Sequence, residues 1–277
     1  MNFKLALVQM RVEGGRKAAN LERAEARIAE AARAGADLAL LPEALDLGWT
    51  DPSATEGAEP IPGGEPVRRL AQAAREHRIF VCAGLTEKDA ARVYNSAVIL
   101  DRHGRLLGTH RKLNELAIGH SCYAQGDHLN VVPTELGTLG LMICADGFAR
   151  DRVLSRALGY MGAEVILSPC AWAVPADHDP QRTPYGEVWR DAYLPVAREF
   201  AMWIAGASNV GPITGGPWAG RKCIGSSLVI DPRGEEVALG PYGEDADCVL
   251  YVNVVPVPRP ARGCGWEDRP REGSDTR

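Results

Sequence analysis

The chain contains no Cys-x-x-Cys pair, no apolar run long enough to cross a bilayer, no nucleotide-cradling glycine pattern and no large excess of charge. Each absence removes a class of protein. The seven cysteines stand singly at positions 82, 122, 144, 170, 223, 248 and 264, none beside a suitably spaced histidine. An odd, scattered set supports neither a disulfide framework nor a zinc site. There is no G-x-G-x-x-G after a strand and no G-x-x-x-x-G-K-[ST], which argues against a nucleotide cofactor. A net charge of -5 with mixed signs argues against a nucleic-acid or polyanion partner. The N-terminus enters a strand-like run at once, without the basic start and cleavage site of a signal peptide, and no segment suits a membrane span. A cytoplasmic location is the expectation.

What is present is ordinary in bulk: 277 residues, 45% hydrophobic and 24% charged, enough to bury a sizeable core. The opening alternates strand and helix. Strands are expected over 3–9, 37–41 and 79–84, with helices over 16–33 and 65–77 and a Pro/Gly-rich loop over 49–64 between them. Leu21, Ala24, Ile28 and Ala31 share one face of the first helix, and Gly35 is its stop. This βαβαβ pattern implies parallel strands covered by helices. The middle changes to hairpins, over 93–100 with 105–109, 129–134 with 138–143, and 227–230 with 235–239. Between them fall helices over 150–161 and 185–200 and strands over 164–168 and 203–207. The pattern implies an α/β fold, two packed mixed sheets with helices outside. No low-complexity linker splits it, so residues 1–256 are one domain and 257–277 a surface extension or an arm crossing to another subunit.

Three residues at strand ends carry chemistry. Cys144 closes a run apolar on both faces, just before a break at Ala145-Asp146-Gly147 and a helix-like stretch. Backbone N–H groups at such a place can stabilise a thiolate or an oxyanion. Glu43 follows the strand ending at Leu41, and Lys112 follows the strand ending near Thr109. Side chains at strand ends of an α/β sheet converge on one crevice. A carboxylate, an ammonium and a thiol gathered there form a nucleophile with its own proton acceptor and positive charge. Singly, each has a bland alternative: a solvated loop carboxylate, an exposed lysine, a buried core thiol. For Cys82, inside an apolar run, the bland reading holds.

Leu41-Pro42-Glu43, His110-Arg111-Lys112-Leu113 and Ile143-Cys144-Ala145-Asp146, in that order, resemble the signature of the carbon–nitrogen hydrolase family, the nitrilase superfamily. Tyr94-Asn95-Ser96-Ala97, Gln125-Gly126-Asp127, Gly162-Ala163-Glu164 and Ser208-Asn209-Val210-Gly211 add to the likeness, which runs from about 3 to 254. The resemblance implies a four-layer α-β-β-α sandwich. It also implies cysteine-dependent hydrolysis of an amide, N-carbamoyl group or nitrile, with no metal or organic cofactor. Glu43 would take the thiol proton, return it to the leaving nitrogen and then activate water. Lys112 would hold the oxyanion beside the Ala145 N–H.

The family's second Glu, about seven residues after its lysine, is missing, and the position reads Gly119-His120. Glu115 is the nearest carboxylate that could serve, with His120 the alternative. Trp172 is a candidate pocket wall. Arg182 would suit a substrate carboxylate and Tyr185 a polar substrate end, whereas His178 and Asp179 read as solvated loop. Trp218, in the glycine-rich loop 211–221, is a candidate lid. Ala145-Asp146-Gly147 lacks the Trp-Glu step that nitrilases tend to show and looks closer to amidases. A true nitrilase is the first rival. A catalytically idle member with a binding role is the second, supported by the missing Glu and opposed by intact Glu43, Lys112 and Cys144. The family's habit of pairing sandwiches implies a homodimer or larger homo-oligomer, built here on the helix after Cys144 and on helix 185–200, whose Val188, Leu194, Val196, Ala197 and Phe200 exceed one sheet-facing stripe.

Overall fold

The computed structural model describes residues 2–258. Most of the extension expected over 257–277, and Cys264 within it, lies outside the described residues. Two six-stranded sheets form the centre. The first has the order β15 (Cys248–Val254), β1 (Phe3–Gln9), β2 (Leu38–Leu40), β3 (Phe80–Asp89), β4 (Arg92–Leu100) and β5 (Leu106–Arg111). The second has the order β14 (Glu236–Leu239), β13 (Leu228–Ile230), β10 (Trp203–Ser208), β8 (Val165–Cys170), β7 (Gly137–Leu141) and β6 (Val131–Thr134). A small third sheet of β11 (Val210–Pro212), β12 (Lys222–Ile224) and β9 (Ala173–Val174) stands beside them.

Parallel pairs occupy the middle of each large sheet, β1 with β2 and β2 with β3, then β7 with β8 and β8 with β10; antiparallel strands flank them. Strands buried on both faces tolerate the continuous apolar runs that this sequence carries there. Helices α1 (Lys17–Arg33) and α3 (Glu65–His77) cover the outer face of the first sheet, where Leu21, Ala24, Ile28, Ala31 and Leu70 are all fully buried. Between them α2 (Ala54–Gly57) interrupts the loop expected over 49–64. Helices α4 (Val153–Tyr160) and α5 (Glu187–Phe200) cover the second sheet. The continuous core between the sheets includes Leu5, Leu40, Leu139, Leu167 and Ile204. The architecture is the expected four-layer α-β-β-α sandwich.

Several boundaries differ from the expectation. The helix expected over 150–161 begins only at Val153, after two 3-10 turns at Cys144–Phe148 and Arg150–Arg152. Asp151 and Arg152 both take positive φ there, so the chain turns sharply before the α-helix can start. The strand expected to stop at 84 runs on to Asp89, because it forms a long hairpin with β4 that turns at Ala90, φ 49°. The last helix starts at Glu187 rather than 185. The excess apolar residues of α5 are mostly accounted for within the chain: Val196, Ala197 and Phe200 are buried, and of that set only Val188 is exposed. Among the described residues no helix is long and apolar enough to cross a membrane.

Candidate active site

The strand ends bring the three expected residues to one crevice between the two sheets. Glu43 lies just past β2, Lys112 directly after β5, and Cys144 just past β7. The Glu43 N–H donates to the Cys170 carbonyl at the end of β8, 3.2 Å away, so the carboxylate loop is tied across to the second sheet. Gly84 makes this close fit possible: a Cβ there would stand 2.5 Å from the Glu43 Cα and 2.8 Å from the Pro42 carbonyl oxygen. The Lys112 N–H donates to the Asn95 carbonyl, 2.8 Å, which fixes the lysine against β4.

All four polar groups are withdrawn from solvent. Glu43 is 1% exposed, Lys112 2% and Cys144 8%, and the Glu115 side chain is 3% exposed. Lys112 Nζ donates to Glu43 Oε1 at 2.7 Å and to Glu115 Oε1 at 3.0 Å. Asn95 Nδ2 bridges the same carboxylates, 2.6 Å to Glu43 Oε1 and 3.1 Å to Glu115 Oε2. Glu43 Oε2 is buried without a hydrogen-bond partner. One carboxylate oxygen is thus anchored and the other left free to exchange a proton.

Glu115, therefore, stands against Lys112 where the sequence left a choice, and His120 does not, being exposed. The Leu116 N–H also donates to Glu115 Oε1, 2.9 Å. Gly119 packs against the Glu115 side chain so tightly that a Cβ would lie 2.6 Å from its Cγ.

Two carboxylates sharing one ammonium leave a surplus negative charge in a dry site. Burial pushes the Glu43 carboxyl above its ordinary range and Glu115 adds to this, while Lys112 and Asn95 oppose it. Burial alone would pull Lys112 down, but Glu43 and Glu115 hold its ammonium well above the ordinary value. The thiol is raised as well. Burial, then contact with the Cys170 thiol and the charge of Glu43, pushes Cys144 well up despite Lys112. Desolvation outweighs the turn's N–H groups, so Cys144 rests as a neutral thiol that only a base could ionise.

The Cys144 turn is clamped from beneath. Cys144 takes φ 45° and its N–H donates to Ser168 Oγ, 3.1 Å. The buried Asp146 carboxylate accepts the N–H groups of Leu113, Asn114 and Ile143 at 2.8 to 3.0 Å, and pairs with His110 Nε2 at 2.8 Å. Burial would raise its pKa, but His110 and these amides hold it below the usual carboxylate range. One side chain thereby ties the Lys112 strap to the Cys144 turn. Ala145 lies in the first turn, where amides lack an intrahelical acceptor.

The outer residues divide. Tyr185 is half-buried and accepts from Trp189 Nε1, 2.9 Å; burial and the electrostatic reach of Cys144, Cys170 and Cys223 hold its phenol up. Trp218 packs edge-on against Trp49, centroids 5.1 Å apart, and the Trp49 ring lies 5.7 Å from Lys112 Nζ. Trp172 is 1% exposed and stacked on Trp189 at 4.4 Å, so it backs the crevice instead of forming an open wall. Arg182 is not brought to the site: its side chain is 88% exposed and reaches Asp179 at 3.5 Å. His178, expected to be solvated, is half-buried and bonded to the Tyr242 hydroxyl, 2.7 Å. Trp49 and Cys223 were given no site role from the sequence, and Asn95, His110 and Asp146 entered there only within motif stretches, without a role of their own. Asn95 carried a signal, a buried-strand amide within the Tyr94-Asn95-Ser96-Ala97 stretch. Among the described residues no His, Cys, Asp or Glu group is arranged to hold a metal ion.

Comparison with known proteins bears on this geometry. A nitrilase of Pyrococcus abyssi is 31% identical over 256 residues, covering 91% of this chain and 90% of that protein. The omega-amidase NIT2 of Bos taurus is 31% identical over 180 residues, 61% of this chain and 64% of its own length. Among solved structures, an amidase from Nesterenkonia sp. superposes with a TM-score of 0.76 at 22% identity, covering 91% of this chain and 90% of that one. Nit3 of Saccharomyces cerevisiae, a nitrilase-superfamily member, gives 0.77 at 23% identity over 91% and 89%. The carbon–nitrogen hydrolase model matches residues 4–257, and the chain belongs to that family, the nitrilase superfamily of hydrolases acting on carbon–nitrogen bonds.

Proposed function

We propose that this chain hydrolyses an amide or N-carbamoyl group through a Cys144 thioester. The observation that carries the reading is the buried Glu43–Lys112–Glu115 array at the mouth of the Cys144 turn. The Cys144 sulfur attacks the carbonyl carbon as its proton passes to the free oxygen of Glu43. Lys112 and the Ala145 N–H carry the negative charge that grows on the carbonyl oxygen. Glu43 returns the proton to nitrogen, the C–N bond breaks, and ammonia or an amine departs from the thioester. Glu43 then takes a proton from water, whose oxygen attacks the thioester carbon; the acid leaves and the proton returns to sulfur. Glu115 and Asn95 hold Lys112 and Glu43 in register throughout. A raised Glu43 pKa suits a group that must both accept and give a proton near neutrality.

The amide reading draws support from Ala145-Asp146-Gly147 after the nucleophile and from an amidase of the same fold whose structures are described with acrylamide and butyramide. The identity to the Pyrococcus nitrilase favours a nitrile as the second reading. Ammonia release from a panel of primary amides, N-carbamoyl amino acids and nitriles separates them. Turnover of amides or carbamoyl compounds with nitriles inert is expected; turnover of nitriles alone would replace the reading.

The same proposal includes a homodimer. Phe148, Val153, Tyr160 and Val188 are 36%, 54%, 57% and 51% exposed; Phe148 and Val188 line one surface hollow, Val153 and Tyr160 another, and Asp151 borders both. An apolar patch of this kind marks a contact surface, and its place beside Cys144 links assembly to the site.

A further inference from the structure

A narrow pocket adjoins the triad between the β1 end, the 48–51 loop and the third sheet. Two of its walls are shared with the catalytic array. Trp49 lies over Lys112, and Cys223 stands within electrostatic reach of Glu43. Two buried polar atoms in its lining lack partners. Asn209, 5% exposed, leaves Oδ1 unsatisfied; Trp49, 6% exposed, leaves Nε1 unsatisfied. An unpaired buried polar atom is costly unless a ligand or water meets it. Asp51 is the single charged residue in the lining. Its Oδ1 accepts the Ser53 N–H at 2.9 Å, while Oδ2 sits between Gly14 and Gly215, where a Cβ on either glycine would collide with it. Among the described residues no lysine or arginine pairs with Asp51.

From this lining we infer that the pocket is the subsite for the far end of the substrate and takes a small cationic donor, an ammonium group. The inference rests on the amide-hydrolysing reading. Asn209 Oδ1 and the Asp51 carboxylate both accept hydrogen bonds and no cation lines the pocket to welcome a carboxylate, while the Trp49 Nε1–H is a donor that an ammonium leaves to water. The narrow shape suits a primary ammonium on a short chain rather than a ring. Substrates are then ω-amino amides, and monoamides of dicarboxylic acids are disfavoured.

The test measures kcat/KM for 4-aminobutanamide, 5-aminopentanamide and 6-aminohexanamide. Each is set against the alkanamide of equal chain length and against succinamate and glutaramate. At the best length the ammonium compound should exceed its alkyl counterpart by about tenfold or more, the scale of one charge-assisted hydrogen bond, with the carboxylates poorest. Asp51→Asn should bring that ratio toward one. Thr214→Lys, at an exposed position of the same lining, should do so too by placing an ammonium beside Asp51, and it serves if Asp51→Asn fails to fold. Alkanamides or carboxylates turned over as well at every length, or a ratio that survives in both variants, would overturn the subsite and leave the amidase reading standing. Failure of every amide would sink the amidase reading and this inference with it.

Discussion

Replacing Glu115 with Gln keeps its shape and removes one charge from the buried array. Lys112 loses the 3.0 Å ion pair that, with Glu43, fixes its ammonium. A hydrogen bond to a charged group in a dry site is worth about 1.5–3 kcal/mol, so kcat/KM should fall roughly tenfold to a hundredfold at neutral pH. The pH profile should move in a definite direction. Glu115 is one of the groups that raise Glu43, so its neutralisation lowers the Glu43 pKa. Glu43 must be ionised to accept the thiol proton, and the acid limb of kcat/KM reports that ionisation in free enzyme. The limb should therefore shift to lower pH while the plateau drops. Asp127→Asn is the control, since the Asp127 side chain is 85% exposed and pairs with His128 in the next position; it should change rates by less than about twofold. A Glu115→Gln enzyme with an unchanged plateau and an unmoved acid limb would refute the assigned role.

Cys144→Ala should abolish turnover on any confirmed substrate while the thermal midpoint stays near wild type, measured by calorimetry, because no other side chain can form the thioester. Asp46, fully buried, is pushed up to about 6 by burial against its bonds from Thr86. For an acid raised in the fold, stability is greatest below the unfolded pKa near 3.9 and falls as pH rises toward 6, by about 3 kcal/mol for a shift of about two units. Denaturant titrations of Asp46→Asn should show that slope flattened between these pH values; an unchanged slope would contradict it. Phe148→Asp combined with Tyr160→Asp should yield monomers in light scattering, and wild-type activity should fall on dilution; a fully active wild-type monomer would end the dimer proposal.

The large features were legible because they obey short-range rules. The helix face of Leu21, Ala24, Ile28 and Ala31 and the apolar strand before Cys144 are buried as their periodicity implied. Glu43, Lys112 and Cys144 converge because each ends a strand, which is a property of topology and readable in order along the chain. What escaped depends on contacts across the chain. β15 pairs with β1 over a separation of more than two hundred residues, and its pattern has a weak alternation of half-buried positions. The small third sheet is made of two- and three-residue strands with no period to detect. Arg182 had the right chemistry for a carboxylate, yet its loop turns it to solvent. That the thiol needs a base was legible from its ordinary pKa, whereas the extent to which burial raises it is a three-dimensional quantity that no local turn reveals. Glu115 could be named but not chosen over His120 until the chain between Lys112 and Gly119 was seen to fold back on the lysine.

The central claim is that Cys144 becomes acylated. Mixing the enzyme with a hydrolysed primary amide, quenching in acid and measuring intact mass tests it most directly. The account predicts a transient species heavier by the amide less ammonia, mapped by proteolysis to the peptide carrying Cys144 and missing in Cys144→Ala. Steady hydrolysis with no adduct on that peptide under conditions that trap an acyl-enzyme, or an adduct on another residue, would contradict it.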